Sequence, residues 1–483
     1  MAKDLTAGPP WRVILAFTAP LLVGNVVQQL YQLSDAMVVG RVLGVEALAS
    51  VGATGSFLFL LLGFAWGMTN GFAIPTAQAF GARDSEAVRR SVATGAVLSG
   101  VVSLVITVTA PLLVGPALRL LRTPPELLPQ AATFAVVSFL GAATMMFFNF
   151  LAAILRAIGD SRTPLIYLVA SCGLNILLVL AAVPGLGLGV GGAALATVVS
   201  QGVAVGLCLL HVRRRVPALH TRREHWRVNR DDVVTHLRLG LPMGFQASII
   251  AIGILAVQVR LNSLGPDAVA AYTTATRVDN VTVTFLGSVG LATSMYVAQN
   301  LGARRPDRIR TGVLQALWMT IAGAAVIGAV VAAAGSSLVR LFVGPDETEV
   351  IDMAAFFLHL NGSLYVILGA LFVLRGALQG LGHTAIPTVT GLLELLCRVG
   401  AAVVLGATWG YDGVVWGNPL AWIAAMTVLV PAYVRAHRAL ASTDDDAPAP
   451  VLGPPADGAD DPASGHEVTP EVTPAPADAP APA

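Results

Sequence analysis

"AQAFGARDSEAVRRSV" (residues 77–92) and "AQNLGARRPDRIRTGV" (298–313) align without a gap, and that match decides the fold. The same separation recurs along the chain. "LGVEALASVGA" (43–53) meets "LGPDAVAAYTT" (264–274), "RAIGDSRTP" (156–164) meets "QGLGHTAIP" (379–387), and Pro20 meets Pro242. A nearly constant spacing over this length marks an internal duplication. The duplicated material is membrane material. The 483 residues are 55% hydrophobic and 12% charged, where a soluble domain carries about 25% charged residues. Mean hydropathy is +0.74.

Apolar segments long enough to cross about 30 Å of hydrocarbon fall at 13–39, 48–74, 91–114, 130–155, 163–183, 188–212, 239–262, 270–296, 312–338, 352–376, 386–407 and 413–434. The expectation is an all-α polytopic membrane protein of twelve transmembrane helices in two six-helix lobes. The first apolar run is too long for a signal peptide h-region and reads as a true span. Six spans per repeat is an even number, so both lobes share one orientation. An axis along the membrane normal relates them, with a cleft between them near the midplane. The boundaries expected are an N-terminal lobe (1–212), a basic linker (213–238), a C-terminal lobe (239–440) and a disordered, acidic, Pro/Ala-rich tail (441–483). Most of the 29 Lys and Arg residues fall on the side of the termini and the even-numbered loops; Lys3, Arg83, Arg304 and Arg375 are among them. The positive-inside rule then places both termini in the cytoplasm of a multi-pass protein of the cell membrane.

Just past the second and eighth spans stand the two "AQxxGAR" segments. Gly81 and Gly302 read as helix terminators and the arginines as headgroup anchors. Cys172, Cys208 and Cys397 sit in apolar segments at unrelated spacings and suggest neither a metal site nor a disulfide.

The first span holds one charge, Asp35, in "LYQLSDAMVVG" (30–40). A carboxylate in hydrocarbon costs about 2.5–3.5 kcal/mol on insertion scales. Asn25, Gln28, Gln32 and Asp35 share one helical face, with Tyr31 beside them. Such a stripe belongs against a cavity or another helix, and Asp35 reads as a functional ionisable site. Pro20, on the same helix, reads as a hinge.

"APLLVGNVVQQLYQLSDAMVVGRVLGVEALASVG", the two "AQxxGAR" loops, "LRAIGDSRTP", "GVGGAALATVVSQ" and "GLPMGF" together resemble the multidrug and toxic compound extrusion (MATE) transporters, especially their DinF-like branch. The resemblance covers about Trp11 to Leu440. It implies export of amphiphilic, typically cationic compounds against inward flow of H⁺ or Na⁺. It also implies an ion-coupling cluster in the N-terminal lobe, and three positions carry over: Asp35, Asn175 and Thr197. The second carboxylate of that pattern, four residues after Asn175, is Val179 here. One desolvated carboxylate suits H⁺ better than hard, oxygen-seeking Na⁺. The other bacterial branch places carboxylates in the seventh and tenth helices, and the matching stretches here, "GLPMGFQASIIAIGILAVQV" (240–259) and "FFLHLNGSLYVILGALFVL" (356–374), hold neither Asp nor Glu.

Other intramembrane polar residues invite weaker readings. Glu394 and Arg398, four apart, suit an intrahelical ion pair, and Arg398 falls opposite Asn175 in the repeat. Arg277 and Asp279 are two apart and read as cavity-lining. Met145 and Phe148, in "TMMFFNF" (144–150), offer soft surface for amphiphiles. The expected partners are a small amphiphilic substrate and membrane lipid, with no nucleic acid, no cofactor and a monomeric state. A lipid-linked oligosaccharide flippase would carry several cavity-facing cations, and only Arg277 and Arg398 lie mid-span. An intramembrane enzyme would need a paired catalytic set, which is missing. No phosphate-binding loop for ATP is present.

Overall fold

The computed structural model describes residues 4–120, 123–340 and 347–445. Lys3, Arg122 and the tail from 446 onward lie outside the described residues. The helices are α1 (Pro10–Leu43), α2 (Val45–Gly81), α3 (Ser85–Leu120), α4 (Leu128–Leu140), α5 (Ala142–Ala157), α6 (Arg162–Leu180), α7 (Gly189–Arg215), α8 (Arg230–Leu264), α9 (Pro266–Gly302), α10 (Pro306–Arg340), α11 (Thr348–Ser363), α12 (Tyr365–Gly380), α13 (Ala385–Gly400), α14 (Gly406–Trp409), α15 (Tyr411–Val415) and α16 (Gly417–Asp445). Among the described residues there are ten candidate spans, or up to twelve when each of two bent pairs counts as one. The last helix runs past Leu440, through "RAHRALA" (435–441), whose Arg, Ala and Leu are strong helix formers.

The duplication shows in the irregularities as much as in the helices. The bent pairs are α4–α5, at 48°, and α11–α12, at 52°, in matching places of the two halves. A wide π-type turn follows α6 at Ala181–Gly185 and α13 at Ala401–Leu405. Gly44 (φ 90°) joins α1 to α2 and Gly265 (φ 111°) joins α8 to α9. Both sit where only glycine is unstrained. Between α7 and α8 the linker forms two short 3₁₀ turns, Pro217–Leu219 and Arg223–Trp226.

At the basic end of the bundle the lobes touch. The ends of α2 and α9 cross so tightly that a Cβ on Gly81 would lie 1.9 Å from the Gln299 carbonyl oxygen. One on Gly302 would lie 1.8 Å from that of Gln78. Crossed hydrogen bonds accompany the contact. Gln78 donates to the Gly380 carbonyl (3.2 Å), and Gln299 donates to that of Ala157 (2.6 Å). Helix termination, which the sequence suggested for Gly81 and Gly302, falls instead to Arg83 (φ 58°) and Arg304 (φ 53°). These arginines take the left-handed position after the helix end, and the glycines serve the crossing. The apolar core continues through it: Phe72 and Ile154 share one buried cluster with Met295, Tyr296 and Val297.

The N-terminal segment seals one side of this contact. The Leu5 amide donates to Gln299 Oε1 (3.1 Å), and Asn300 donates to the Leu5 carbonyl (3.2 Å). Arg308 donates to the Gly8 carbonyl (3.0 Å).

The crossing makes a prediction that separates the two roles. Gly81→Ala or Gly302→Ala places a methyl on backbone and should destabilise by about 1–3 kcal/mol or more. Arg83→Gly, at a left-handed position, should be neutral or stabilise by up to about 1 kcal/mol. Thermal unfolding of the detergent-solubilised variants measures both.

Candidate functional site

The first span brings its carboxylate to the place where α1 meets α6 and α7. Thr197 Oγ1 lies 3.2 Å from Asp35 Oδ2 and accepts a hydrogen bond from Asn175 Nδ2, also at 3.2 Å. Three side chains from three helices thus converge. Asp35 Oδ1 and Asn175 Oδ1 are buried and find no hydrogen-bond partner among the described residues. Two oxygens therefore remain able to accept a proton donor or a cation. Tyr31 is buried beside the cluster, its hydroxyl 2.9 Å from Ser200 Oγ, and Ser200 in turn donates to the Thr197 carbonyl (3.0 Å).

The space a second carboxylate would occupy is apolar. Val179 is fully buried and packs with Val39, Val183, Val190 and Ala193. The dry packing on one side and the Thr197–Asn175 pair on the other leave Asp35 as the sole carboxylate of the cluster.

The rest of the α1 stripe divides. Asn25 donates to Ser288 of α9 at 3.0 Å, linking the lobes. Gln28 is half-buried and Gln32 exposed. Pro20 lies within α1, which continues helically across it. Proline has no amide hydrogen, so the Ala16 carbonyl lacks its usual helical partner.

In the C-terminal lobe the repeat mate of the Asn175–Thr197 pair is Arg398 with Asn418. Arg398 donates from Nε to Asn418 Oδ1 at 3.1 Å, and Asn418 falls opposite Thr197 at the offset that also pairs Gly189 with Gly410. Glu394 accepts from Arg398 (3.3 Å) and also pairs with Arg375. Arg375, read from the sequence as a residue of the basic-end loops, is buried within α12 because Glu394 receives its charge. Asp279 is buried and accepts a hydrogen bond from the Tyr365 hydroxyl at 2.7 Å, while Arg277 is exposed. Asp279 therefore faces the interior of α9's contact with α12 and not an open cavity. Met145 is half-buried, and Phe148 is buried in a cluster with Leu151, Leu168, Ala204 and Cys208. That places Phe148 in lobe packing, with no free face for a substrate. The repeat spacing could have pointed to Asn418. Nothing in the sequence pairs Tyr365 with Asp279.

One further group gathers at the basic end. The ligating atoms of Glu86, Glu224 and His225 lie within 4.8 Å of one another. Arg89 pairs with Glu86 (2.7 Å) and Arg222 with Glu224 (3.6 Å). His225 accepts the Arg222 amide at Nδ1, so Nε2 donates to Glu86 (2.7 Å). With the carboxylates neutralised and both ring nitrogens engaged, the group tethers the linker to α3.

Comparison with known proteins agrees with this arrangement. Two stretches, 20–180 and 242–404, match MatE, one in each half, and the chain belongs to the MatE family. Among curated relatives, "Probable multidrug resistance protein YoeA" of Bacillus subtilis (strain 168) is 28% identical over 433 residues, 88% of this chain and 93% of that one. "Multidrug export protein MepA" of Staphylococcus aureus (strain MSSA476) is 23% identical over 442 residues, covering 90% and 96%. These relatives are transporters and not enzymes. Among solved structures, MATE in complex with MaL6 superposes with a TM-score of 0.84 at 24% identity, covering 91% of this chain and 99% of that one. The outward-facing conformation of a multidrug resistance MATE family transporter gives 0.83 at 24%, with the same coverage. These likenesses establish the fold.

The Glu394 triad can be tested by truncation. Glu394→Ala leaves two guanidiniums without their buried partner and should cost about 3–5 kcal/mol in thermal unfolding. Glu224→Ala breaks an exposed pair and should stay within about 1 kcal/mol.

Proposed function

We propose that this chain is a cation-coupled exporter of amphiphilic, cationic compounds, acting as a monomer in the cell membrane with both termini in the cytoplasm. The supporting observation is the Asp35 cluster: one carboxylate, two hydrogen-bonding neighbours on other helices, and a carboxylate oxygen without a partner. Asp35, Asn175 and Thr197 carry the coupling ion, and H⁺ is the ion this set suits. A proton on Oδ1 neutralises the carboxylate, the only charge in the cluster. Na⁺ would require several oxygens, and Val179 with its apolar neighbours occupies the side where another carboxylate would stand.

Coupling follows from competition. A cationic substrate gains from the Asp35 charge in a low-dielectric lobe: at about 4 Å and an effective dielectric constant of about 20, unit charges attract by about 4 kcal/mol. Protonation removes that attraction and releases the cargo. The two lobes, 1–212 and 239–440, rock about the cleft between them, and residues 213–238 link them. The contact at the basic end, with Gln78, Gln299 and the docked N-terminal segment, closes the cytoplasmic side. The exposed residues of the α1 stripe and Arg277 line the path that remains.

Efflux from reconstituted vesicles under an imposed pH gradient or an imposed Na⁺ gradient tests this reading. Wild type should respond to the pH gradient, and Asp35→Asn should fall to background under both. Full gradient-driven efflux by Asp35→Asn would overturn the central assignment. Efflux driven by Na⁺ alone would overturn the choice of ion and leave Asp35 in place.

A further inference from the structure

A cavity lies away from the Asp35 cluster, on the N-terminal lobe at its basic end. Its volume is about 600 Å³. Ile158 and Asp160 of the α5–α6 turn line it at the basic end, together with residues of α6 and α7.

The wall changes chemistry with depth. Along α7, each residue rises 1.5 Å, so Leu207 and Leu210 stand about one to two turns deeper than Arg214 and Arg215. Between the two levels sit Tyr167 and His211, ring against ring, with the tyrosine hydroxyl 3.2 Å from His211 Nδ1. Next to the cavity Ile166, Val203, Leu209 and Leu210 are exposed. In a membrane protein such residues at the outside of a lobe meet acyl chains.

The charges at the mouth are unspent. Arg213, Arg214 and Arg215 form the last turn of α7 and have no carboxylate partner among the described residues. Asp160, the acidic group of the lining, is committed elsewhere. Its Oδ1 accepts the amides of Arg162 (3.1 Å) and Thr163 (3.0 Å), and its Oδ2 accepts the Thr163 hydroxyl (2.6 Å). It caps α6 and leaves the guanidiniums alone.

We propose that this cavity binds an anionic phospholipid of the leaflet at the basic end. The phosphodiester sits between the Arg214 and Arg215 guanidiniums and the Tyr167 hydroxyl, and an acyl chain follows Leu207 and Leu210. A basic pocket between transmembrane helices at headgroup level is suited to such a lipid. Anchoring by guanidiniums alone would need neither the recess nor the aromatic–imidazole pair at its waist. The apolar inner wall selects a lipid over a water-soluble phosphate.

The test uses the full chain purified in detergent. Native mass spectrometry and thermal unfolding are run with added phosphatidylglycerol, phosphatidylcholine or glycerol phosphate. Phosphatidylglycerol should remain bound and raise the melting temperature, while the other two should not. Arg214→Gln/Arg215→Gln should lose that response, and Arg304→Gln/Arg305→Gln, on the other lobe, should keep it. Each single change, Arg214→Gln or Arg215→Gln, should weaken binding about fivefold, which keeps the test available if the double variant does not fold. Tyr167→Phe, which retains the ring, should also weaken it. Equal stabilisation by phosphatidylcholine, an undiminished response in the arginine variants, or the same response to glycerol phosphate would each overturn the proposal.

Discussion

The two-lobed arrangement depends on one close approach, the crossing of α2 and α9 where neither Gly81 nor Gly302 can carry a side chain. Backbone meets backbone there, so lobe separation is set by main-chain atoms and not by adaptable rotamers. Around that point the interactions come in exchanged pairs. Gln78 of one half reaches a carbonyl at the end of the other half's bent span, and Gln299 returns the same contact. Small residues at a helix crossing allow the dispersion contact and the crossed hydrogen bonds to coexist, which is how membrane helices associate without a hydrophobic drive between them.

Around this shared frame the two interiors have diverged. The N-terminal lobe keeps a carboxylate with hydrogen-bonding neighbours. The C-terminal lobe places an arginine where Asn175 stands and an asparagine where Thr197 stands. Its charges are satisfied internally: Glu394 by two guanidiniums, Asp279 by Tyr365. A duplicated scaffold thus presents one polar cluster with unpartnered oxygens and one that is closed on itself. The docked N-terminal segment adds to the asymmetry, since Leu5 engages Gln299 and Asn300 of the second half.

Much of this was legible in the sequence, because a membrane imposes length and a duplication imposes register. The spans and the matching halves follow from patterns with a fixed period or offset; Asp35 stands out as the one charge of its span, whereas Asn175 and Thr197 were reached only through the family resemblance. What escaped depended on contacts between distant segments. Gly81 looks like a terminator because glycine ends many helices; only the position of α9 shows why a Cβ is excluded. Arg375 looks like a loop cation because it lies near the end of an apolar run; only Glu394, from the next helix, makes its burial tolerable. Phe148 looks available because its neighbours are soft and apolar, and that same softness fills a core. The bend between α4 and α5 has no proline to announce it, and Gly141 alone does not distinguish a bend from a straight span.

Val179 has a consequence for energetics. On the proposed mechanism, a lobe with a single carboxylate exchanges at most one elementary charge per cycle at that site. When one proton replaces one monovalent cation, no net charge crosses the membrane, so the voltage does no work on the exchange. The concentration ratio such a carrier can sustain then equals the proton ratio, about tenfold for each pH unit. On the proposed proton-for-cation exchange, a second carboxylate that also carried a proton would couple the membrane potential to export, and the valine in its place would confine the driving force to the chemical gradient.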